Sequence, residues 1–365
     1  MATELAKGLA MKNHNVHMVS YARPARLDTF QSNISYHEVN IRTYPLFEYP
    51  PYALALANQL TSLIEYENLD VIHVHYALPH ATSAYLAKQI MGEKGLNIPI
   101  VTTLHGTDIT LVGNDPSYKK VVNFSINQSD GVTAVSEYLK GLTMEYFDIK
   151  NEIKVIPNFI DLDRFKRSDK QHFKRAICPN GEKVVAHVSN FRKVKRVPEV
   201  ISVFKRILDH GIASKLLLVG DGPDRQKTEE QCRELGICEH VRFLGKQDQV
   251  AEVLSIADLF LMPSGNETFG LAALEAMSCS VPVICSNIGG LPEVVEHGKS
   301  GFLCDLDDVD CMADHAVEIL GDEDKFNEMS ANARKRASEF ELLKIVGEYE
   351  KYYEECLQKM KQTTG

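Results

Sequence analysis

The feature that most constrains this chain is a repeating alternation. Short β-branched and apolar runs recur at residues 16–20, 71–75, 100–104, 131–135 and 153–157. They resume at 184–189, 215–219, 241–244, 259–262, 281–285 and 301–304. Amphipathic stretches at 58–66, 81–91, 199–210, 225–235 and 271–277 lie between many of them. Strand–helix alternation predicts parallel sheets with helices on both faces. Runs that are apolar throughout suit strands buried on both sides. The expected fold class is α/β.

The runs form two groups. Pro157-Asn158-Phe159-Ile160-Asp161 closes the first, and a loop rich in Lys, Arg and Asp leads to the next strand at Val184. That places a boundary near residue 160, with one Rossmann-like domain over 1–160 and another over 161–341. A length of 365 residues accommodates two cores. Residues 342–365 form a charged and aromatic helix expected to pack back across the domains. Two doubly wound domains facing an interdomain cleft would bind ligands at their strand C-termini. The chain opens on a helix over residues 2–11, where such a domain ordinarily opens on a strand and a phosphate-binding turn.

Composition removes several classes of function. Forty Lys and Arg against 50 Asp and Glu leave a net charge of −10, which disfavours nucleic acid as a partner. No run reaches the roughly 18 apolar residues of a spanning helix, so no stable membrane insertion is expected. No basic-then-apolar leader is seen at the start of the sequence, and a cytoplasmic location is expected. The eight cysteines form no CxxC pair, and the first stands at Cys178. Reduced thiols are expected, with neither a zinc ribbon nor a disulfide scaffold.

The strongest chemical signal is Ser264-Gly-Asn-Glu267-Thr-Phe269-Gly270-Leu271-Ala-Ala-Leu-Glu275. A strand ending at Met262 enters a polar glycine turn, then a helix. Amides at Phe269, Gly270 and Leu271 would meet an anion such as a diphosphate. Glu267 and Glu275 could each accept hydrogen bonds from vicinal sugar hydroxyls. The plain alternative is a pair of ordinary helix glutamates, and the strand–turn–helix setting favours the site. A second turn, Gly220-Asp-Gly-Pro223, also follows a strand, though glycine and proline shape many such loops. A third, Gly289-Gly290-Leu-Pro292-Glu293, opens a helix. Ser189-Asn190-Phe-Arg192-Lys-Val-Lys195-Arg196 places four cations in one loop, either an anion site or a solvated basic loop.

In the first half, His105-Gly106-Thr107-Asp108 follows a strand, where a histidine could donate to a substrate or be structural. His73 and His75 share a strand face, but no carboxylate or cysteine stands near at ligand spacing, so no metal is expected there. Asp305-Leu-Asp307 could hold Mg²⁺ on a diphosphate; a solvated acidic loop is the favoured reading. The expected site contains no metal.

Together these motifs resemble the retaining glycosyltransferases of family 4, which have the GT-B fold, over nearly the whole chain. Within the family, residues 47–57, His73-Val-His75-Tyr76-Ala-Leu-Pro-His80-Ala81 and Thr103-Leu-His105-Gly-Thr107-Asp108 are most similar to members that join N-acetylglucosamine from UDP-GlcNAc to L-malate in bacillithiol synthesis. The resemblance implies donor contacts from Asn190, Arg192, Lys195, Gly220, Glu267, Phe269, Gly270, Leu271 and Glu275. Glu275 would hold the ribose, Glu267 the sugar hydroxyls and Lys195 the leaving diphosphate. His105 would sit beside the reacting sugar, making His105, Lys195 and Glu267 the catalytic set. Tyr76, Thr107 and Arg26 would bind the acceptor. It implies no cofactor, since the UDP-sugar is a substrate, and favours a homodimer.

Three departures accompany the resemblance. Asn190 stands where the family usually has an arginine, leaving Arg192 or Arg196 to supply that charge. Asn123 occupies a helix position where acceptor-binding relatives use arginine. Met1 matches a point inside the family's first helix, so a central strand and glycine-rich loop are expected to be missing, leaving a gap in the sheet. Two alternatives stay open: a family-4 transferase with another small or lipid acceptor, and a truncated nucleotide-sugar-binding chain of little activity.

Overall fold

The structure is a computed structural model that describes every residue except 25, 28–31, 42–48, 114, 169–170 and 365. Part of the 47–57 motif, Phe47 and Glu48, thus lies outside the described residues. The chain divides into two compact units, Met1–Asn158 with Leu342–Gly365, and Phe159–Glu341.

In the first unit, β1 (Val16–Ser20) pairs with β2 (Ile34–Glu38), while β3 (Ile72–His75), β4 (Ile100–Leu104), β5 (Gly131–Ala134) and β6 (Ile153–Val155) form a separate sheet in that order. Every pair is parallel, with Ile72 opposite Ile100 and Val101 opposite Gly131. Among the described residues no strand joins β1 to β3. β2 was not expected: Ile-Ser-Tyr-His-Glu has little apolar character and is half-buried or exposed along its length. A buried cluster seats helices Tyr52–Tyr66 and Thr82–Gly92 through Leu56, Leu60, Ile64, Ala84, Ala87 and Met91 beside β3 and β4.

The helix Leu342–Thr364 belongs to this first unit. Its Tyr352 hydroxyl accepts from the Val132 amide at 2.9 Å and donates to the Val132 carbonyl at 3.1 Å. Gly131 lets it approach: a Cβ there would lie 2.7 Å from Cys356 Sγ.

The second unit is one parallel sheet in the order β12-β11-β10-β7-β8-β9. The strands are β7 (Lys183–Val188), β8 (Ser214–Val219), β9 (Val241–Gly245), β10 (Leu259–Met262), β11 (Val283–Ser286) and β12 (Gly301–Cys304). β7 and β10 are neighbours although β8 and β9 intervene in sequence, so the chain reverses its direction of winding there. Such a reversal is where doubly wound sheets bind ligands, beyond the strand C-termini. Helices Val197–Asp209 and Val309–Gly321 bury Val200, Phe204, Ile207, Met312 and Ala316 in the core with Leu216, Leu218, Leu259 and Leu261.

The expectation of eight reduced thiols is corrected here. Cys304 and Cys311 form a disulfide, their Cα atoms 6.0 Å apart. The end of β12 and the first turn of the next helix bring the two together, a pairing that seven residues of separation does not advertise. The other six cysteines are free, and of these only Cys238 is exposed.

Candidate active site

A cavity of about 300 Å³ opens in the second unit at that reversal, lined by His187, Ser189, Asn190, Lys195, Glu267 and Glu275 among others. Two loops line it, after β7 and β10, and a third, after β8, packs behind the first; each leaves the C-terminal end of a parallel strand.

The loop after β7 turns sharply at Phe191 (φ 37°), whose ring is fully buried. The loop after β8 packs directly on it. Gly220 has φ +122°, and a Cβ there would stand 1.7 Å from the Ser189 carbonyl oxygen. A Cβ on Gly222 would stand 2.2 Å from the Asn190 carbonyl oxygen. Neither position has room for a side chain. The basic turn ends at Arg196, whose guanidinium pairs with Glu199 at 3.1 Å and with Asp307. Arg192 is exposed and is not among the residues lining the cavity.

The loop after β10 carries the glutamates. The Gly290 amide donates to the Glu267 carbonyl at 2.9 Å, and a Cβ on Gly290 would stand 2.3 Å from the Thr268 carbonyl oxygen. Gly270 (φ +103°) starts helix Leu271–Ser278, whose first-turn amides lack acceptors within the helix. Leu271 and Ala272 line the cavity, so a helix N-terminus faces it. The Phe269 side chain points into the core, edge-on to Phe340 at 5.7 Å between ring centres.

Inside the cavity, Lys195 Nζ lies 2.6 Å from Glu267 Oε2. His187 is buried, its Nδ1 2.8 Å from the Leu261 carbonyl and its Nε2 2.8 Å from Ser189 Oγ. Burial, with Lys195 nearby, pushes the His187 pKa down to about 4, so the ring is neutral at pH 7. Donation from Nδ1 to the carbonyl leaves Nε2 to accept from Ser189. Ser264 Oγ is buried without a hydrogen-bond partner among the described residues.

Asn190, Lys195, Glu267, Leu271 and Glu275 therefore line one cavity. Gly220, Phe269 and Gly270 shape its walls. His187, Ser189, Met262, Ser264 and Ala272 also contribute, and the sequence assigned none of them a role. Their signal was positional: each lies at or just beyond the C-terminal end of a strand, or opens the helix that follows. Asp307 faces Arg196, and Asp308 caps helix Val309–Gly321 by accepting from the Cys311 amide at 2.9 Å. The acidic loop is thus engaged in ion pairs and capping.

The first unit carries a histidine cluster. His75 Nδ1 lies 2.8 Å from His105 Nε2. His73 is held by Tyr353 OH at 2.7 Å and Thr103 Oγ1 at 2.7 Å. Burial pushes His73 and His105 down to about 3, so these rings are uncharged near neutrality. The Tyr76 ring packs on His105 at 5.0 Å between centres, with Tyr76 itself at φ 79°. Asp108 is buried and ties the turn together, accepting from the Ala77 amide at 3.0 Å and the Gly106 amide at 3.0 Å. Thr107 is exposed at the start of the short helix after His105. Tyr76, His105 and Thr107 are thus neighbours. Arg26 is exposed in a turn.

Two all-parallel α/β units, the second with a helix N-terminus, a cation and two carboxylates on one cavity, have the GT-B fold. The Glycosyltransferase Family 4 model matches residues 1–164 and the Glycosyl transferases group 1 model matches 168–336. The N-acetyl-alpha-D-glucosaminyl L-malate synthase of Bacillus anthracis is 47% identical over 98% of this chain and 93% of its own length. The uncharacterized glycosyltransferase MJ1178 of Methanocaldococcus jannaschii is 27% identical over 94% of this chain and 91% of its own. Anabaena Alr3699/HepE, solved in complex with UDP-glucose, shares the fold at a TM-score of 0.80, with 22% identity over 97% of this chain and 96% of that one. The chain belongs to glycosyltransferase family 4.

Proposed function

We propose that this chain transfers N-acetylglucosamine from UDP-GlcNAc to the hydroxyl of L-malate with retention of configuration, the first step of bacillithiol synthesis. The observation that carries this reading is the 47% identity, over 98% of this chain and 93% of the relative, with the Bacillus anthracis malate synthase. The cavity supports the donor half: Glu275 takes the ribose hydroxyls, Glu267 the sugar hydroxyls, and Lys195 with the helix at Leu271 the diphosphate. Tyr76 and Thr107, with Arg26, bind the malate carboxylates, and His105 acts as a neutral hydrogen-bonding group at the sugar.

In the reaction the bond from the anomeric carbon to the UDP oxygen breaks and the malate oxygen bonds to that carbon on the same face. The malate hydroxyl proton passes to the departing phosphate oxygen. Lys195 and the helix amides stabilise the charge that develops there, which makes a divalent cation unnecessary. We assign the reaction to the cytoplasm and the working form to a homodimer.

The test is UDP release from UDP-GlcNAc with L-malate, glycerate or lactate as acceptor, each with and without EDTA. Malate-dependent release, unaffected by EDTA, is expected. Release with glycerate or lactate but not malate would overturn the acceptor, and EDTA inhibition reversed by Mg²⁺ would overturn metal independence.

A further inference from the structure

Away from the donor cavity, three soft-metal ligands of the second unit converge. Cys304 ends β12, Cys311 lies in the first turn of helix Val309–Gly321, and His315 follows one turn later on the same helix face. One ligand atom from each lies within 4.8 Å of the others. Cys304 is buried, while Cys311 and His315 are half-buried, so the cluster opens to solvent on one side.

The histidine is oriented like a ligand. Its ring stacks on Phe302 with centres 3.7 Å apart and planes 5° apart. Its Nδ1 lies 2.9 Å from Glu318 Oε2. A carboxylate accepting from Nδ1 fixes the tautomer and leaves Nε2 as the lone-pair nitrogen, which is how proteins prepare imidazole for a metal. His297 also faces this ring, at 6.2 Å between centres. It does not join the set, because its Nδ1 accepts from the Leu303 amide at 3.1 Å and its Nε2 therefore carries the proton.

We propose that, once the Cys304–Cys311 disulfide is reduced, Cys304, Cys311 and His315 bind a thiophilic divalent cation such as Zn²⁺, with a water as fourth ligand, and that reoxidation expels it. Two thiolates and an imidazole select such an ion over hard cations. In reduction, a dithiol gives two electrons and two protons to the disulfide and becomes a cyclic disulfide. The cysteine thiols then lose their protons to solvent as their sulfurs bind the ion. In the reverse direction a low-molecular-weight disulfide takes two electrons from the thiolates and two protons from water, becomes two thiols, and the ion departs as the Cys304–Cys311 bond forms.

The test uses the full chain. Protein reduced with dithiothreitol and desalted anaerobically is titrated with Zn²⁺ against a chromophoric chelator, beside the disulfide form. One Zn²⁺ per chain in the reduced form and none in the oxidised form is expected. Co²⁺ should give thiolate-to-cobalt charge-transfer absorption in the reduced protein. Cys311→Ser and His315→Ala should lose binding, and Glu318→Gln should weaken it by about 10- to 100-fold. Circular dichroism shows whether the variants fold; if they do not, the redox dependence in the unsubstituted chain decides. No chelator-resistant Zn²⁺ in the reduced chain, binding that ignores oxidation, or equal binding by folded Cys311→Ser would overturn the proposal.

Discussion

Lys195 Nζ and Glu267 Oε2 stand 2.6 Å apart, so the cation and one carboxylate of the second unit's cavity are bonded to each other. A diphosphate entering there competes with Glu267 for the lysine. The two residues should therefore separate kinetically. Lys195→Ala should lower kcat by about 10²- to 10³-fold, the usual effect of removing one group that stabilises developing charge. Glu267→Gln should also lower kcat but should not weaken UDP binding, because it releases Lys195 from its partner. Steady-state rates and calorimetry with UDP check both. An unchanged rate in Lys195→Ala would move the diphosphate role to Arg192 or Arg196.

Glu275 lines the same cavity from the second turn of helix Leu271–Ser278. Its proposed partners are the two ribose hydroxyls, present in UDP as well as in the full donor. Glu275→Ala should weaken UDP by roughly 1.5–3 kcal/mol, about 10- to 100-fold, as for hydrogen bonds to a charged group. Equal affinity by calorimetry would remove the ribose role.

Gly220 and Gly236 both have positive φ, +122° and +68°, but only Gly220 is enclosed. A Cβ on Gly220 would collide with the Ser189 carbonyl, whereas nothing lies within 4 Å of a Cβ on Gly236. Gly236→Ala should cost about 1 kcal/mol of backbone strain. Gly220→Ala should cost more and also weaken UDP, since the displaced Ser189-Asn190 segment is cavity wall. Urea melts that rank the two equally would contradict this packing.

Protonation of the buried histidines gives the chain an acid-sensitive stability. His187 has a folded pKa of about 4 against 6.5 for an ordinary histidine. The unfolded chain therefore binds more protons between those values, and stability falls as pH drops from 6.5 toward 4. The limiting slope for one such group is about 1.4 kcal/mol per pH unit. His73 and His105, at about 3, act in the same direction in the first unit. Urea unfolding at about pH 7.5 and about pH 5 should show the loss, and His187→Gln should make the second unit's slope shallower. A flat profile would mean that these rings are not buried neutral.

The strands were legible where β-branched and apolar residues dominate the run. Residues 16–20, 100–104, 259–262 and 301–304 match β1, β4, β10 and β12 in full. β2 escaped because a half-buried strand need not be apolar. The loop after β10 was legible as a cavity wall because Glu267, Gly270 and Glu275 are close in sequence and sit at a strand–turn–helix junction. His187 and Ser264 were not, because their significance depends on β7 lying beside β10, a neighbour relationship absent from the local sequence. The Cys304–Cys311 pair was hidden for a similar reason: the turn into helix Val309–Gly321, not the spacing, brings the sulfurs together.

The most direct test of the account is the identity of the product. The chain should be incubated with UDP-GlcNAc and L-malate, and the product characterised by mass and by the coupling of its anomeric proton. The account predicts a single α-linked N-acetylglucosaminyl malate formed in step with UDP. A β-linked product would contradict retention, and UDP release without any malate adduct would contradict the proposed transfer itself.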